Sequence, residues 1–389
     1  MLDLAGKIHE LYRAKDFSFL VLILSFVLLP LSINLSSLAL VVAIVLKILQ
    51  AFFHKESAYP SKALLISSAI GLGLVFYIFI RSLFLEDFTL VLRSLEENTK
   101  YVLFFLAPLL IRKDDSNKLL IVGFFWGVIG SVVFAFSYAI ITGVKFDREV
   151  FLHLFGIHHT YISMFMVFLL NPILGREGNT FPLVGKITVA MVFFYTIYNL
   201  DSKVSMAVFI VILIVHLIWY LNKKNFFIYF LLFLVALFVF IRFNNKSGVD
   251  YRIALDYRVE VWEASIAQIK ENVFFGSLEK DEKQLLNYQH FLSGKYYFLD
   301  RDINSHNQYL SVLLKFGVFG FLFLLSYAIF FLFHLRKNFP SIKSREAFGF
   351  VMIITLICCI ENIFDRHHGI VFFTTFYNYY IVLFTNESI

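Results

Sequence analysis

Ser305-His306-Asn307-Gln308-Tyr309 is a polar run that passes without a break into an apolar stretch containing Lys315, Gly317 and Gly320. It sets an imidazole at the mouth of a long hydrophobic segment, where chemistry on a membrane-held substrate would be done. A histidine of ordinary pKa, about 6.5, can take a proton from an attacking hydroxyl near neutrality. Cations also stand where they cost free energy, beside apolar runs: Arg81, Arg93, Lys100, Lys203, Arg258 and Arg366, the last within Glu361-Asn362-Ile363-Phe364-Asp365-Arg366-His367-His368-Gly369. Several fall at segment ends that would face one compartment, so they could converge. Arg and Lys gathered near a His suit an anionic, phosphate-bearing substrate, because guanidinium groups bind phosphate oxygens in bidentate pairs and Lys supplies a point charge. Local alternatives stand beside that reading. Lys203 could pair with Asp201 and Arg366 with Asp365, Arg258 could be solvated on an amphipathic helix, and His158-His159 and His367-His368 could be interfacial polar residues.

The elements that must position these groups are membrane helices. Of 389 residues, 59% are hydrophobic, 16% are charged and 50 are Phe, a composition that would aggregate as a soluble domain. Continuous apolar runs near the roughly 20 residues needed to cross a hydrocarbon core recur from end to end, which excludes an alternating β-barrel pattern. The expected fold is all-α and integral to the membrane, with about twelve transmembrane helices. They lie near 17–34, 36–53, 63–83, 101–111, 119–142, 157–174, 186–200, 204–221, 226–243, 308–335, 347–364 and 369–386. Lys55, Lys62, Arg112, Lys113, Lys118, Arg176, Lys223, Lys224, Arg336, Lys337, Lys343 and Arg345 then share one side, as the positive-inside rule requires of the cytoplasmic face. The formal net charge of +6 follows from that topology and calls for no nucleic acid.

Residues 1–389 read as one polytopic domain with a single large extramembrane segment, 244–307, between the ninth and tenth spans on the periplasmic side. Within it Val259, Trp262, Ile266, Ile269 and Val273 repeat with the spacing of one helical face. This predicts an amphipathic helix along the membrane interface, with Asp256 capping its start and Gly276 ending it. Metal-ligand spacings are absent, as are a P-loop and a dinucleotide glycine fingerprint, so no cofactor is expected. Cys358 and Cys359 are adjacent in an apolar run, and packing is their expected role.

His306-Asn307, nine residues, Gly317, two residues, Gly320 resembles the signature of the O-antigen ligase family, whose domain is shared with O-antigen polymerases. Arg258 with Trp262 four residues on, followed by Phe274-Phe275-Gly276, is similar to a second pattern of that family. The resemblance implies a metal-independent, inverting glycosyltransferase in the bacterial inner membrane with its site facing the periplasm. It would move a glycan from undecaprenyl diphosphate to a hydroxyl of the lipid A-core oligosaccharide. Carried over by position, His306 is the catalytic histidine and Arg258 contacts the diphosphate. Lys203 stands where the family usually has arginine, which turns a bidentate contact into a single point. Arg366 resembles another cation near the site, and Asn307 or Glu361 would orient the imidazole, with Trp262, Gly317 and Gly320 in support. An O-antigen polymerase extending the carrier-linked glycan uses the same domain and donor. A transporter or flippase would instead show two similar halves with charges near mid-membrane, whereas here the polar residues gather at one face.

Overall fold

The computed structural model describes residues 16–53, 60–175, 182–220, 251–338 and 341–385, except 86, 113, 279, 280 and 302, together with 6, 9 and 11. Those residues form helices and no strands. In chain order they are α1 (Phe17–Leu28), α2 (Ile33–Phe53), α3 (Lys62–Ser82), α4 (Phe88–Asn98), α5 (Leu103–Leu110), α6 (Lys118–Thr142), α7 (Arg148–Phe155) and α8 (His159–Gly175). There follow α9 (Leu183–Asn199), α10 (Lys203–Tyr220), α11 (Tyr251–Glu271), α12 (Glu282–Leu292), α13 (Gln308–Asn338), α14 (Ile342–Cys358) and α15 (His367–Thr385). Among them α2, α3, α6 and α13 are long and apolar enough to cross a membrane. The pair α7 and α8, bent by 99° across a short break, brings the number to five if it counts as one span. The expected runs at 17–34, 186–200 and 204–221 correspond to shorter apolar helices, and the run at 226–243 lies outside the described residues.

Two helices form the axis of the bundle. Almost every residue of α8 from Thr160 to Ile173 and of α15 from His368 to Phe384 is buried. A helix apolar on all sides belongs in the interior. They meet through edge-on and tilted aromatic rings, with Phe168 4.3 Å from Phe376 and 5.0 Å from Phe372, and Phe124 of α6 4.9 Å from Phe165. The outer helices invert the soluble pattern: Leu35, Leu38, Val41, Val45 and Ile48 of α2 are exposed, as a lipid-facing surface allows.

Two differences from the expected elements matter for the site. The run predicted over 347–364 leaves helical geometry at Cys358, so Glu361 and Asn362 stand in a connection before α15. The amphipathic helix α11 begins at Tyr251, so Asp256 lies inside it rather than at its start. The described part of the expected loop is a small subdomain, in which Val261, Ala264, Leu285, Leu286, Phe298 and Ile303 share a core with Leu314 of α13.

That subdomain docks into a break in α13. Gly317 sits at φ 63° and ψ −165°, which interrupts the helical ladder. The orphaned backbone groups find partners in the turn after α11: Val318 N–H donates to the Val273 carbonyl at 2.8 Å and Ser277 N–H to the Leu314 carbonyl at 2.8 Å. The Phe316 carbonyl accepts from the Tyr77 hydroxyl at 2.6 Å. A Cβ on Gly317 would run into the Phe274 backbone, and one on Gly276, itself at φ +67°, would come within 2.6 Å of the Gly317 nitrogen. The two motif glycines are one contact. Gly317→Ala is therefore expected to cost about 1 to 3 kcal/mol from backbone strain alone, before the clash is counted. Thermal unfolding of the detergent-solubilised protein checks this; an unchanged midpoint would contradict the packing.

Candidate functional site

The loop carrying His306 is held from three directions. Trp262 of α11 donates its indole N–H to the Ser305 carbonyl at 3.0 Å, and the buried Glu282 carboxylate accepts the Ser305 N–H at 2.7 Å. Asn307 accepts N–H bonds from Tyr309 and Leu310 at 3.0 and 3.1 Å, capping α13, while its amide donates to the Cys359 carbonyl at 3.1 Å. Between these anchors His306 adopts φ 46°, a left-handed conformation that a non-glycine residue keeps only when its surroundings impose it.

The imidazole Nδ1 faces Glu361 Oε2 at 3.6 Å and has no closer polar partner. Asn307, fully committed to capping and to Cys359, does not orient the ring; the carboxylate is the group that faces it. Burial would raise the Glu361 pKa, but the contact with His306 and the charges of His306, His158 and Arg258 outweigh it and hold the carboxyl below its usual range. Arg258, one helical turn before Trp262 on α11, thus lies within electrostatic reach of the His306 partner. His158 lies within electrostatic reach of both Arg366 and His306. Lys203 opens α10 after a turn in which Asp201 takes φ 51°. His158 and His159, with ring centroids 4.1 Å apart, are delivered by the break between α7 and α8.

Behind the His306 loop lies a buried ionic network that sequence reading passes over. Lys315 Nζ is 3.0 Å from Glu282 Oε2 and 2.6 Å from Asp365 Oδ1. Asn362 donates to Glu282 and to Asp365, both at 3.1 Å, and the Ser311 hydroxyl donates to Glu282 at 2.5 Å. Burial alone would raise the Glu282 carboxyl, but Lys315 and the Ser305 and Ser311 bonds pull it down to about 2. Because Ser305 adjoins His306 and Asn362 adjoins Glu361, one carboxylate sets the distance between imidazole and its partner. Lys315, a charge inside an apolar run, was the available signal; Glu282 had none, since its partners lie 23 to 80 residues away. Among the described residues no three His, Cys, Asp or Glu are grouped to hold a metal ion.

An all-helical bundle with several helices long and apolar enough to cross a membrane, in which a histidine faces a carboxylate beside a small helical subdomain, defines a membrane protein with a polar site at one helix mouth. A family model described as O-antigen ligase matches residues 188–325, about a third of the chain, and supports the resemblance of the His306 motif to that family. The match covers Lys203, Arg258, His306, Gly317 and Gly320, and leaves Glu361 and Arg366 beyond its end. No curated protein matches the sequence.

Proposed function

We propose that the chain is a glycosyltransferase of the ligase type, moving a glycan from undecaprenyl diphosphate to a hydroxyl of lipid A-core oligosaccharide at the periplasmic face of the inner membrane. The observation that supports this reading is His306 facing Glu361 at 3.6 Å, with Arg258, far away in the chain, in electrostatic reach of that carboxylate. With Nδ1 turned to Glu361, Nε2 is the nitrogen left to meet substrate. It takes the acceptor O–H proton as that oxygen attacks the anomeric carbon; the new C–O bond forms as the bond to the diphosphate oxygen breaks, and the configuration inverts. Glu361 stabilises the imidazolium that results, while Arg258, Arg366 and, by a single-point contact, Lys203 take the charge of the departing diphosphate. Apolar grooves between the helices hold the prenyl tail.

Incubating the purified full-length protein with a prenyl-diphosphate glycan, with and without lipid A-core, tests the reading. Glycan on lipid A-core supports the ligase, a lengthened carrier-linked chain without acceptor identifies a polymerase, and no covalent product with either ends the transferase reading. Arg258→Gln is expected to slow transfer about 100-fold with little loss of stability, because Arg258 has no ion pair among the described residues. An unchanged rate would remove it from the site.

A further inference from the structure

A cavity of about 450 Å³, whose lining includes none of Arg258, His306 and Glu361, lies between α3, α4 and the start of α12. Arg81 and Lys100 line it, and neither has a carboxylate in ion-pair contact among the described residues; Arg366, which also borders it, is exposed. Arg81 is only 6% exposed. Its Nε donates to the Phe275 carbonyl at 2.9 Å and its guanidinium carbon is 5.4 Å from the centre of the Phe316 ring, contacts that leave the terminal N–H groups uncommitted. Lys100 donates to the Asp365 carbonyl at 2.8 Å, whereas the Asp365 carboxylate is engaged by Lys315 and Asn362. The contrast on one wall is informative. Lys315 is in ion-pair contact with two carboxylates, while Arg81 and Lys100 are in such contact with none among the described residues, although Glu97 and Asp281 share the cavity wall and Lys100 feels the more distant charges of Asp365, Glu97 and Glu282.

Buried positive charge without an ion-pair partner, as at Arg81, is costly, and an oxyanion taking several charge-assisted hydrogen bonds relieves that cost. The volume falls in the roughly 300 to 1,000 Å³ range of small-molecule sites, and Ser94, Asn98, Gln284 and Asn304 add polar groups suited to sugar hydroxyls. Asn304 also accepts the His306 N–H at 3.1 Å, so the cavity adjoins the loop that carries the imidazole. A transfer reaction needs places for two substrates, and the cluster of Arg258, His306 and Glu361 supplies one.

We propose that this second cavity is an acceptor subsite for a sugar bearing an oxyanion, a phosphate ester or a carboxylate, held by Arg81 and Lys100; this rests on the transferase reading. The full-length protein in detergent, titrated calorimetrically with glucose 6-phosphate, glucuronate and glucose, tests it. At least one charged sugar is expected to bind about tenfold or more tightly than glucose, and the preferred one separates phosphate from carboxylate. Lys100→Gln and Arg81→Gln should each weaken that binding about tenfold or more, and Arg258→Gln should leave it unchanged. If Arg81→Gln does not fold, the more exposed Lys100→Gln carries the test. Equal binding of all three sugars, no binding of any, or loss on Arg258→Gln would overturn the proposal. Charged-sugar binding that Lys100→Gln abolishes, in a protein that forms no glycan product, would leave the anion site standing and sink the transferase reading instead.

Discussion

Replacing His306 with alanine is expected to lower glycan transfer by about 10² to 10⁴-fold, the usual contribution of a positioned general base. The fold should survive, because the loop is held by Ser305, Asn304 and Asn307 rather than by the ring. Among the described residues the ring makes one polar contact, at 3.6 Å to Glu361. The backbone at φ 46° adds a control, since asparagine tolerates that conformation better than alanine does and still cannot act as the base. His306→Asn should thus be as inactive as the alanine variant and more stable. Rates within about tenfold of wild type in both would remove His306 from proton transfer.

Replacing Glu282 with alanine is expected to cost about 3 to 5 kcal/mol of stability, the penalty of removing one partner from a buried ion pair. Four groups lose their acceptor at once: Lys315, the Ser305 N–H, the Ser311 hydroxyl and the Asn362 amide. A depressed carboxyl stabilises the folded state above its ordinary value of 4.5, and that contribution is lost as pH falls toward about 2. Wild-type stability should therefore decline in acid below about pH 5, and Glu282→Gln should flatten the decline. Scanning unfolding midpoints against pH in detergent checks the sign. A Glu282→Gln curve parallel to wild type would refute the role of this carboxylate.

The helical, membrane-embedded class was legible because it rests on local quantities. Run length and apolar continuity predict Lys62–Ser82, Lys118–Thr142 and Gln308–Asn338 nearly to the residue. The motif was legible for the same reason: His306, Asn307, Gly317 and Gly320 share one short stretch, and Arg258 and Trp262 are one helical turn apart. What local patterns do not encode is which polar groups are brought face to face. Tertiary structure alone chose Glu361 over Asn307 as the group facing His306, joined Gly276 to Gly317, and buried Glu282 against Lys315. It also parted the cations, with Arg258 beside Glu361 and Arg81 and Lys100 around a separate cavity. A hydrophobic run determines a helix by its own residues, whereas an ion pair between groups 33 residues apart, as Glu282 and Lys315 are, depends on how the helices pack and leaves no periodic trace in the chain.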